Sequence, residues 1–224
     1  MVILITGVSK GIGLETAKFL VKENHWVLGV SRSVVSFSHP NFIFIQGDIR
    51  EKSSIEKCLT YLDTNHQKLD VLINNAGLLV YKKLENISLE EVQDVFAVNV
   101  FSPFMWIQAF LPYLKKSERA HIVNISSMGG MMGTQKFSGL SAYSSSKGAL
   151  SILTECVAEE LKGYAICCNA LALGAVQTDM LSMAFPRLKA PLNASEMAEF
   201  VGWFAVHGQK FFNGKILPVA MSTS

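Results

Sequence analysis

Residues 2–13 read Val-Ile-Leu-Ile-Thr-Gly-Val-Ser-Lys-Gly-Ile-Gly, an apolar run that passes directly into three closely spaced glycines. The run has the length of a buried strand, and the apolar period that begins at about residue 11 is that of a helix. Gly7 permits a tight turn, Gly11 lets the backbone approach a phosphate closely, and Gly13 lets the helix pack on the strand. The stretch predicts the phosphate-binding turn of a dinucleotide fold, although its Gly-x-x-x-Gly-x-Gly spacing differs from the commoner Gly-x-Gly-x-x-Gly. The alternative is a glycine-rich turn that binds nothing.

Short apolar runs alternate with segments of helical period along the rest of the chain. The predicted strands are 2–6, 26–30, 42–46, 71–74, 121–126, 164–170 and 216–219. The predicted helices are about 11–24, 53–67, 88–115, 141–162 and 193–207, and the third should kink or divide at Pro103 or Pro112. Such alternation predicts an α/β fold with a parallel sheet covered by helices on both faces. Without a repeat or linker, residues 1–224 are expected to form one domain.

The composition narrows the function classes. The chain has 224 residues, 17% of them charged, with a net charge of +2 and no long basic run, which argues against nucleic acid as a partner. The four cysteines lack metal-ligand spacing, so they predict no metal site and are interpreted as reduced and structural. The adjacent pair Cys167-Cys168 lies in an apolar run, where thiols most often serve as small buried apolar residues. The first strand starts at residue 2 with no basic segment before it, and this favours a cytoplasmic protein without a membrane anchor.

The end of the second strand predicts which dinucleotide is preferred. A chain that prefers NAD places an acidic residue there to bind the ribose 2′-hydroxyl, but this chain has Ser31-Arg32. A neutral serine and a guanidinium suit a 2′-phosphate, and Lys10 in the glycine loop adds a second cation. Either cation alone is also consistent with an ordinary solvated surface residue. Together they favour NADP.

Two further strands end in polar or small residues. Asp48 follows the third strand, where its carboxylate could accept from an adenine amino group or, alternatively, cap the next helix. The fourth strand ends in Asn74-Asn75-Ala76-Gly77, whose small residues would let a ribose lie close to the backbone. The carboxyl ends of parallel strands meet at one edge of a sheet, so these residues are expected to share one site.

Tyr143-Ser-Ser-Ser-Lys147 places a phenol and an ammonium on one face of a predicted helix. A lysine about 5 Å away favours the phenolate by roughly 3 kcal/mol at an effective dielectric of about 20, which would lower the pKa of Tyr143 by about two. The pair on its own is a common coincidence of spacing, so its weight depends on the surrounding motifs.

With these motifs in order, the chain resembles the short-chain dehydrogenase/reductase superfamily over nearly its whole length. The resemblance rests on the following stretches: residues 6–13, Asn74-Asn-Ala-Gly77, Val98-Asn-Val100, Val123-Asn-Ile-Ser-Ser127, Tyr143-Ser-Ser-Ser-Lys147 and residues 169–178. It implies a Rossmann-type doubly wound fold with seven parallel strands in the order 3-2-1-4-5-6-7.

The resemblance also implies a role for each catalytic candidate. Tyr143 would be the general acid toward a substrate carbonyl, and Lys147 would hold the nicotinamide ribose and lower the tyrosine pKa. Ser127 would orient the carbonyl oxygen, and Asn99 would fix a water that joins Lys147 to solvent. Ser126 competes with Ser127, and both could instead be strand-end hydroxyls that bond the backbone. Asn99 could instead mark a local bend.

The expected cofactor-binding set combines the motifs above with the positions that the family uses. It comprises Gly7, Ser9, Lys10, Gly11, Ile12, Gly13, Ser31, Arg32, Asp48, Ile49, Asn75, Ala76, Gly77, Tyr143, Lys147, Gly174, Val176 and Thr178. Two departures from the family pattern affect this set: the interval from Ser127 to Tyr143 is longer than usual, and Leu173 stands where proline is common.

Apolar residues flank the predicted nicotinamide position and suggest an uncharged or weakly polar ketone, aldehyde or diketone as substrate. These are Leu78, Leu79, Val80, Met131, Met132, Phe137, Met180, Met183 and Phe185. The hypothesis is an NADP(H)-dependent carbonyl reductase, and the family implies a homodimer or homotetramer formed by the helices that begin near Ser88 and Ser141. The alternative is a non-catalytic NADP-binding redox sensor, which a missing proton donor would favour.

Overall fold

The seven-stranded parallel sheet of this computed structural model, which describes residues 1–221, runs in the order β3-β2-β1-β4-β5-β6-β9. Its strands are β1 (Val2–Thr6), β2 (Trp26–Ser31), β3 (Phe42–Gln46), β4 (Val71–Asn74), β5 (Ala120–Ser127), β6 (Ile166–Leu173) and β9 (Ile216–Val219). Two short strands, β7 (Val176–Gln177) and β8 (Leu192–Asn193), pair separately. The seven predicted strands and their order are confirmed, with β9 as the seventh.

Within residues 1–221, seven α-helices connect the strands. They are α1 (Gly11–Lys22), α2 (Lys52–Asn65), α3 (Leu89–Phe96), α4 (Ser102–Leu114), α5 (Ser141–Glu160), α6 (Asp179–Ala184) and α7 (Ala194–His207). A π-helical turn at Ala97–Phe101 joins α3 to α4.

Alternating side chains of β1 show how the sheet is covered on both faces. Val2 and Leu4 belong to the core cluster with α2, α4 and α5, whereas Ile3 and Ile5 belong to the cluster with α1 and α7. Successive residues of a strand point to opposite faces, so a strand that is apolar at every position is buried on both. The continuous apolar run at the start of the chain therefore places β1 in the centre of the sheet.

The predicted division of the third helix is confirmed, and it lies next to the first of its two prolines. Pro103 occupies the first turn of α4, directly after the π-helical turn, while Pro112 lies inside α4 without ending it. Proline has no N–H to give to the carbonyl of the preceding turn, so the regular ladder is interrupted there. The Ala97 carbonyl accepts both from the Ser102 backbone N–H and from the Ser102 hydroxyl, the latter at 2.8 Å. This places Asn99 in the irregular turn.

The run Leu89–Leu114 is long and apolar enough to cross a membrane by length and composition. Its Trp106 and Phe110 are fully buried in the core cluster that contains β1 and β4. A helix that packs in a protein core meets the same criterion, so composition alone does not assign this run to a membrane.

The prediction that the adjacent Cys167 and Cys168 are small buried apolar residues is correct for Cys168 only. Cys58 and Cys168 are buried, but Cys167 is partly exposed and Cys156 is exposed on α5. Burial raises the pKa of Cys58 to about 12, so this thiol stays protonated near neutral pH.

Candidate active site

A cleft of about 1290 Å³ runs along the carboxyl edge of the sheet. It is lined by every residue of the expected cofactor-binding set, from Gly7 in the glycine loop to Thr178 before α6, and by Ser127. Asn99 is fully buried and does not line the cleft. Residues that are more than 160 positions apart in the chain are therefore brought together by the parallel topology.

The glycine loop has the backbone that its sequence predicts. Gly7 and Gly11 have φ values of +80° and +62°, which L side chains rarely adopt. A Cβ at Gly13 would lie 2.2 Å from the Gly7 carbonyl oxygen and 2.3 Å from Asn75 Nδ2, so only glycine fits there. The loop opens α1 with its first N–H groups free to receive an anion.

Asn75 braces this loop. Its side-chain amide donates to the carbonyl oxygens of Thr6 and Gly7, at 3.0 Å each, and its backbone N–H donates to the Thr6 hydroxyl at 3.1 Å. The Ala76 N–H donates to the same hydroxyl at 3.2 Å. The ends of β1 and β4 are thus locked together, and Asn75 reaches the cleft as part of the support for the glycine loop.

The exposed end of the cleft, at β2 and β3, carries opposite charges. Asp48 accepts from the Arg50 guanidinium at 2.8 Å and from the Arg50 backbone N–H at 2.9 Å, and this interaction holds the pKa of Asp48 below its usual value. Arg50 also donates to Asp94 at 3.1 Å. The side chain of Asp48 therefore does not cap α2, which begins after Glu51 without a side-chain cap. Arg32, in contrast, forms no ion pair with any carboxylate of residues 1–221.

Lys10 and Asp179 join the two sides of the cleft mouth. The Lys10 ammonium lies 2.8 Å from the Asp179 carboxylate in the first turn of α6, and both side chains are largely exposed. Lys10 thus has a carboxylate partner that the sequence did not suggest. An exposed pair of this kind contributes about 0–1 kcal/mol, so an anionic ligand can compete for the lysine.

Tyr143 and Lys147 lie on the cleft-facing side of α5. The Lys147 ammonium lies 5.9 Å from the centroid of the Tyr143 ring and donates to the Ile125 carbonyl at 2.7 Å. Burial lowers the pKa of Lys147 to about 8. Burial also raises the pKa of Tyr143, and the nearby Ser127 hydroxyl only partly opposes this. The lowered phenol pKa predicted from spacing is therefore wrong for this state of the site, because desolvation outweighs the lysine charge.

Ser126 and Ser127 point in different directions at the end of β5. The buried Ser126 hydroxyl donates to the Lys147 carbonyl at 3.0 Å and contacts the Ser151 hydroxyl at 3.2 Å. Ser127 lines the cleft, where its hydroxyl accepts from the Gly129 N–H at 3.2 Å. Strand alternation thus turns one hydroxyl toward α5 and the other toward the cleft.

Asn99 connects the irregular turn to the cleft wall. Its Oδ1 accepts from the Leu78 N–H at 2.8 Å, and its Nδ2 donates to the Leu78 carbonyl and the Ser146 hydroxyl, at 2.9 Å each. Ser146 in turn donates to the Tyr143 carbonyl at 2.7 Å. One buried amide thus ties the loop after β4 to the first turns of α5.

Residues 174–178 close the cleft on the side of β6. The Gly174 N–H donates to the Val219 carbonyl at 2.9 Å, and a Cβ at Gly174 would lie 2.7 Å from Ala220 Cβ. Val176 is buried in β7, and the Thr178 hydroxyl caps α6 by accepting from the Leu181 N–H at 3.3 Å. Pairing with β9 therefore holds this turn without the proline that the family often has.

Several supporting residues were missed from sequence. Thr6, Arg50, Ser146 and Asp179 contact predicted site residues. Ser146 lies inside the Tyr143–Lys147 stretch, so its spacing was a usable signal. The sequence contains no signal for Arg50, whose bond to Asp48 depends on the turn between them, or for Asp179, whose partner Lys10 lies far away in sequence.

The apolar wall is smaller than predicted. Leu78, Leu79, Phe137, Met180 and Phe185 line the cleft, together with Met128, Leu140 and Leu188, which were not predicted. Val80 and Met131 do not line it, and Met132 and Met183 are 97% and 81% exposed. Of the long-loop methionines, Met132 therefore faces solvent, whereas Met128 lines the cleft.

The cleft fits an extended dinucleotide. It combines a glycine loop at a helix N-terminus for a pyrophosphate, an open guanidinium at one end, and at the other the partly exposed phenol of Tyr143 beside the buried ammonium of Lys147. The fold and cleft thus define a Rossmann-type dinucleotide-binding oxidoreductase. The short chain dehydrogenase profile matches residues 1–188, and the chain belongs to this family, whose members act on CH–OH and C=O groups with a nicotinamide cofactor.

Several known proteins are similar to the chain. A 3-ketodihydrosphingosine reductase of Bacteroides thetaiotaomicron is 36% identical over 165 residues, which cover 74% of this chain but only 60% of that protein. A probable short-chain type dehydrogenase/reductase of Helicobacter pylori is 30% identical over 217 residues, or 95% of this chain and 79% of that protein.

Two solved structures share the fold. The aldohexose dehydrogenase of Thermoplasma acidophilum has a TM-score of 0.86 at 25% identity, covering 97% of this chain and 91% of that one. The 3-ketoacyl-(acyl-carrier-protein) reductase of Brucella melitensis, in complex with NADH, has a TM-score of 0.87 at 25% identity, covering 97% and 96%.

Proposed function

We propose that the protein is an NADP(H)-dependent carbonyl reductase that converts a ketone, aldehyde or diketone to an alcohol. The observation that carries the proposal is the convergence of Ser127, Tyr143 and Lys147 on one cleft, with Asn99 bonded behind them. A bound nicotinamide cofactor supplies the hydride for such a reaction.

The chain's own residues supply the proton and the orientation. Negative charge develops on the carbonyl oxygen during reduction, and donors fixed around that oxygen stabilise it more in the transition state than in the ground state. Tyr143 is the general acid, because its phenol lines the cleft and a phenol is protonated near neutral pH. Ser127 donates a second hydrogen bond to the oxygen, and Lys147 would hold the ribose hydroxyls.

Asn99 is proposed as a positioning residue. Its amide fixes Leu78 and Ser146, and Ser146 bonds the Tyr143 carbonyl. The relayed contact holds the first turns of α5 in register with the cleft wall. A water joining Lys147 to solvent, as the family resemblance implies, belongs to the same proposal.

Arg32 supports the preference for NADP(H) over NAD(H). It follows the buried Ser31 at the end of β2 and forms no ion pair with the described carboxylates, so its guanidinium is available to a 2′-phosphate. Lys10 can join it when its exposed pair with Asp179 opens.

The decisive experiment follows NADPH absorbance with a panel of neutral ketones, aldehydes and diketones, beside NADH. Wild-type protein should oxidise NADPH with at least one of them, and Tyr143→Phe should lower kcat by about 100-fold or more while calorimetry shows unchanged NADPH binding. Tyr164→Phe is the matched control, because Tyr164 is exposed and outside the cleft. Turnover by Tyr143→Phe at the wild-type rate would refute the role of Tyr143 as general acid. A wild-type protein that binds NADPH but oxidises it with no member of the panel would favour the redox-sensor alternative.

The proposal includes a homodimer or homotetramer in the cytoplasm. Large apolar side chains on α4 and α5 support the association: Phe104 and Ile152 are 52% and 61% exposed. Light scattering of the purified protein distinguishes a monomer from these assemblies.

A further inference from the structure

Three aromatic rings from separate loops meet at the rim of the cleft. The Phe185 ring, directly after α6, lies 5.5 Å from the Tyr81 ring and 5.7 Å from the Phe137 ring, with interplanar angles of 64° and 65°. These are edge-to-face contacts, each of which stabilises by about 0.5–1.5 kcal/mol beyond burial. We refer to Tyr81, Phe137 and Phe185 as the aromatic bridge.

The bridge rests on loops that are already tied to each other. The Lys82 N–H donates to the Gly139 carbonyl at 3.0 Å, and the Tyr81 ring lies so close to Gly139 that a Cβ there would be 3.0 Å from it. The Phe185 N–H donates to Leu181 at 2.7 Å, which fixes Phe185 to α6. Phe185 is the member of the bridge that contacts both others, so it connects α6 to the two tied loops.

The cleft wall around the bridge is uncharged. Phe137 and Phe185 line the cleft beside Leu79, Leu140 and Leu188, and none of the cleft-lining residues in the ranges 127–140 and 185–192 is charged. The nearest cation of the long loop, Lys136, directs its ammonium to its own loop, at 3.1 Å from the Thr134 carbonyl and 2.8 Å from the Thr134 hydroxyl. A substrate carboxylate or phosphate would find no charge partner on this wall and would lose its hydration.

We propose that Phe185 is a specificity-determining residue, and that the aromatic bridge selects neutral ketones with a ring or branched apolar body over small or anionic ketones. This inference rests on the proposed function, because it names the substrate class of the same site. The ring faces of Phe137 and Phe185 give such a body two flat apolar contacts, which acetone is too small to use.

The test compares substrates that differ in one property. Wild-type protein should reduce methyl 4-oxocyclohexanecarboxylate at least about tenfold more efficiently, by kcat/KM, than the free 4-oxocyclohexanecarboxylate anion. Phe185→Ala should lower kcat/KM for cyclohexanone by roughly tenfold, mainly through KM, and leave that for acetone nearly unchanged. The kcat/KM of Phe185→Leu for cyclohexanone should lie between those of wild type and Phe185→Ala. Met183→Ala is the control: Met183 lies in α6, two residues before Phe185, but is 81% exposed and outside the cleft, so this variant should match wild type.

A binding measurement separates this inference from the proposed function. Calorimetry of cyclohexanol with the protein and NADP⁺ should show a Kd about tenfold weaker in Phe185→Ala than in wild type. If wild type oxidises no NADPH but cyclohexanol binding still depends on Phe185, the carbonyl-reductase proposal fails, while the inference that the aromatic bridge binds an apolar ring is supported. If ketones are reduced but neither measurement responds to Phe185, or if the anion and its ester are reduced equally well, the inference is overturned.

Discussion

The burial of Lys147 predicts an unusual pH profile for ketone reduction. Lys147 is 3% exposed and has no carboxylate within ion-pair distance among the described residues, and its pKa is lowered to about 8. The group is a cation below that pH and a neutral amine above it. In the proposed mechanism its positive charge helps to bind the ribose hydroxyls and to stabilise charge beside Tyr143, so reduction should be fast below pH 8 and slow above it.

The magnitude follows from the titration curve. With a pKa of about 8, the charged fraction is roughly 0.9 at pH 7 and roughly 0.1 at pH 9, so kcat/KM should fall about tenfold between these values. A lysine at its ordinary pKa of about 10.4 would leave kcat/KM flat to about pH 9.5. Tyr143 does not produce this break, because burial raises its pKa above its usual value of about 10.

The assay measures kcat/KM for NADPH at saturating ketone from pH 6 to pH 10, because this ratio reports groups of the free enzyme. Carbon-13 NMR of the lysine side chains gives the pKa of Lys147 directly, with Lys147→Met used to assign the signal. Lys52→Ala, which changes an exposed lysine outside the cleft, serves as the control variant. A flat kcat/KM profile to pH 9.5, or a Lys147 signal that titrates above pH 10, would refute the reasoning.

Three further predictions concern stability and cofactor choice. Burial lowers the pKa of His121 to about 4, below its unfolded value of about 6.5, so stability should be full above pH 6.5 and decrease as the pH falls. The free energy of unfolding in urea should therefore be about 2 kcal/mol lower at pH 5 than at pH 7. This difference between the two pH values should be smaller in His121→Gln. Arg32→Ala should weaken NADPH binding by about 10- to 100-fold and NADH binding by less than about threefold in calorimetry, with Lys52→Ala as the surface control; equal weakening of both would contradict the 2′-phosphate assignment. Asn99→Ala should lower the free energy of unfolding by about 3 kcal/mol, because it leaves the Leu78 backbone and the Ser146 hydroxyl without a hydrogen-bond partner. Asn86→Ala, at an exposed position, should change it very little. Equal unfolding curves for the two variants would show that the hydrogen bonds of Asn99 do not support the fold.

The sheet was predictable because its strands are short apolar runs, and the central ones, such as β1 and β4, are buried on both faces. Four of them, 2–6, 42–46, 71–74 and 216–219, begin and end where the apolar runs do. The sixth was predicted at 164–170 but lies at Ile166–Leu173, because the Tyr164 N–H still closes the turn after α5 by donating to Leu161. β7, β8 and α6 were missed, since two-residue strands and a six-residue helix are too short to show a period.

Site residues were predictable from the sequence only where the backbone conformation or the available space permits a single residue type. Gly7 and Gly13 are fixed by the backbone and by space, so sequence alone identifies them. The Asp48–Arg50 and Lys10–Asp179 pairs depend on side-chain directions after a turn and on the fold of a distant helix. The pKa of Tyr143 depends on burial, which spacing along a helix does not reveal.

The arrangement of charge along the cleft gives a physical reason for its division into two ends. At β2 and β3 the ionic groups Arg32, Asp48 and Arg50 are wholly or partly exposed, so they can exchange partners with a polyanion at little cost in water. Lys147 at the other end is buried against the Ile125 carbonyl, where a low dielectric strengthens every bond to a developing oxyanion but also makes an extra charge expensive. A neutral substrate body therefore suits the buried end, and the anionic part of a dinucleotide suits the exposed one. If the dinucleotide phosphates lay at the buried end instead, only Lys147 could neutralise them. Because the pKa of Lys147 is lowered to about 8, Lys147 would be a weak counter-charge above pH 8.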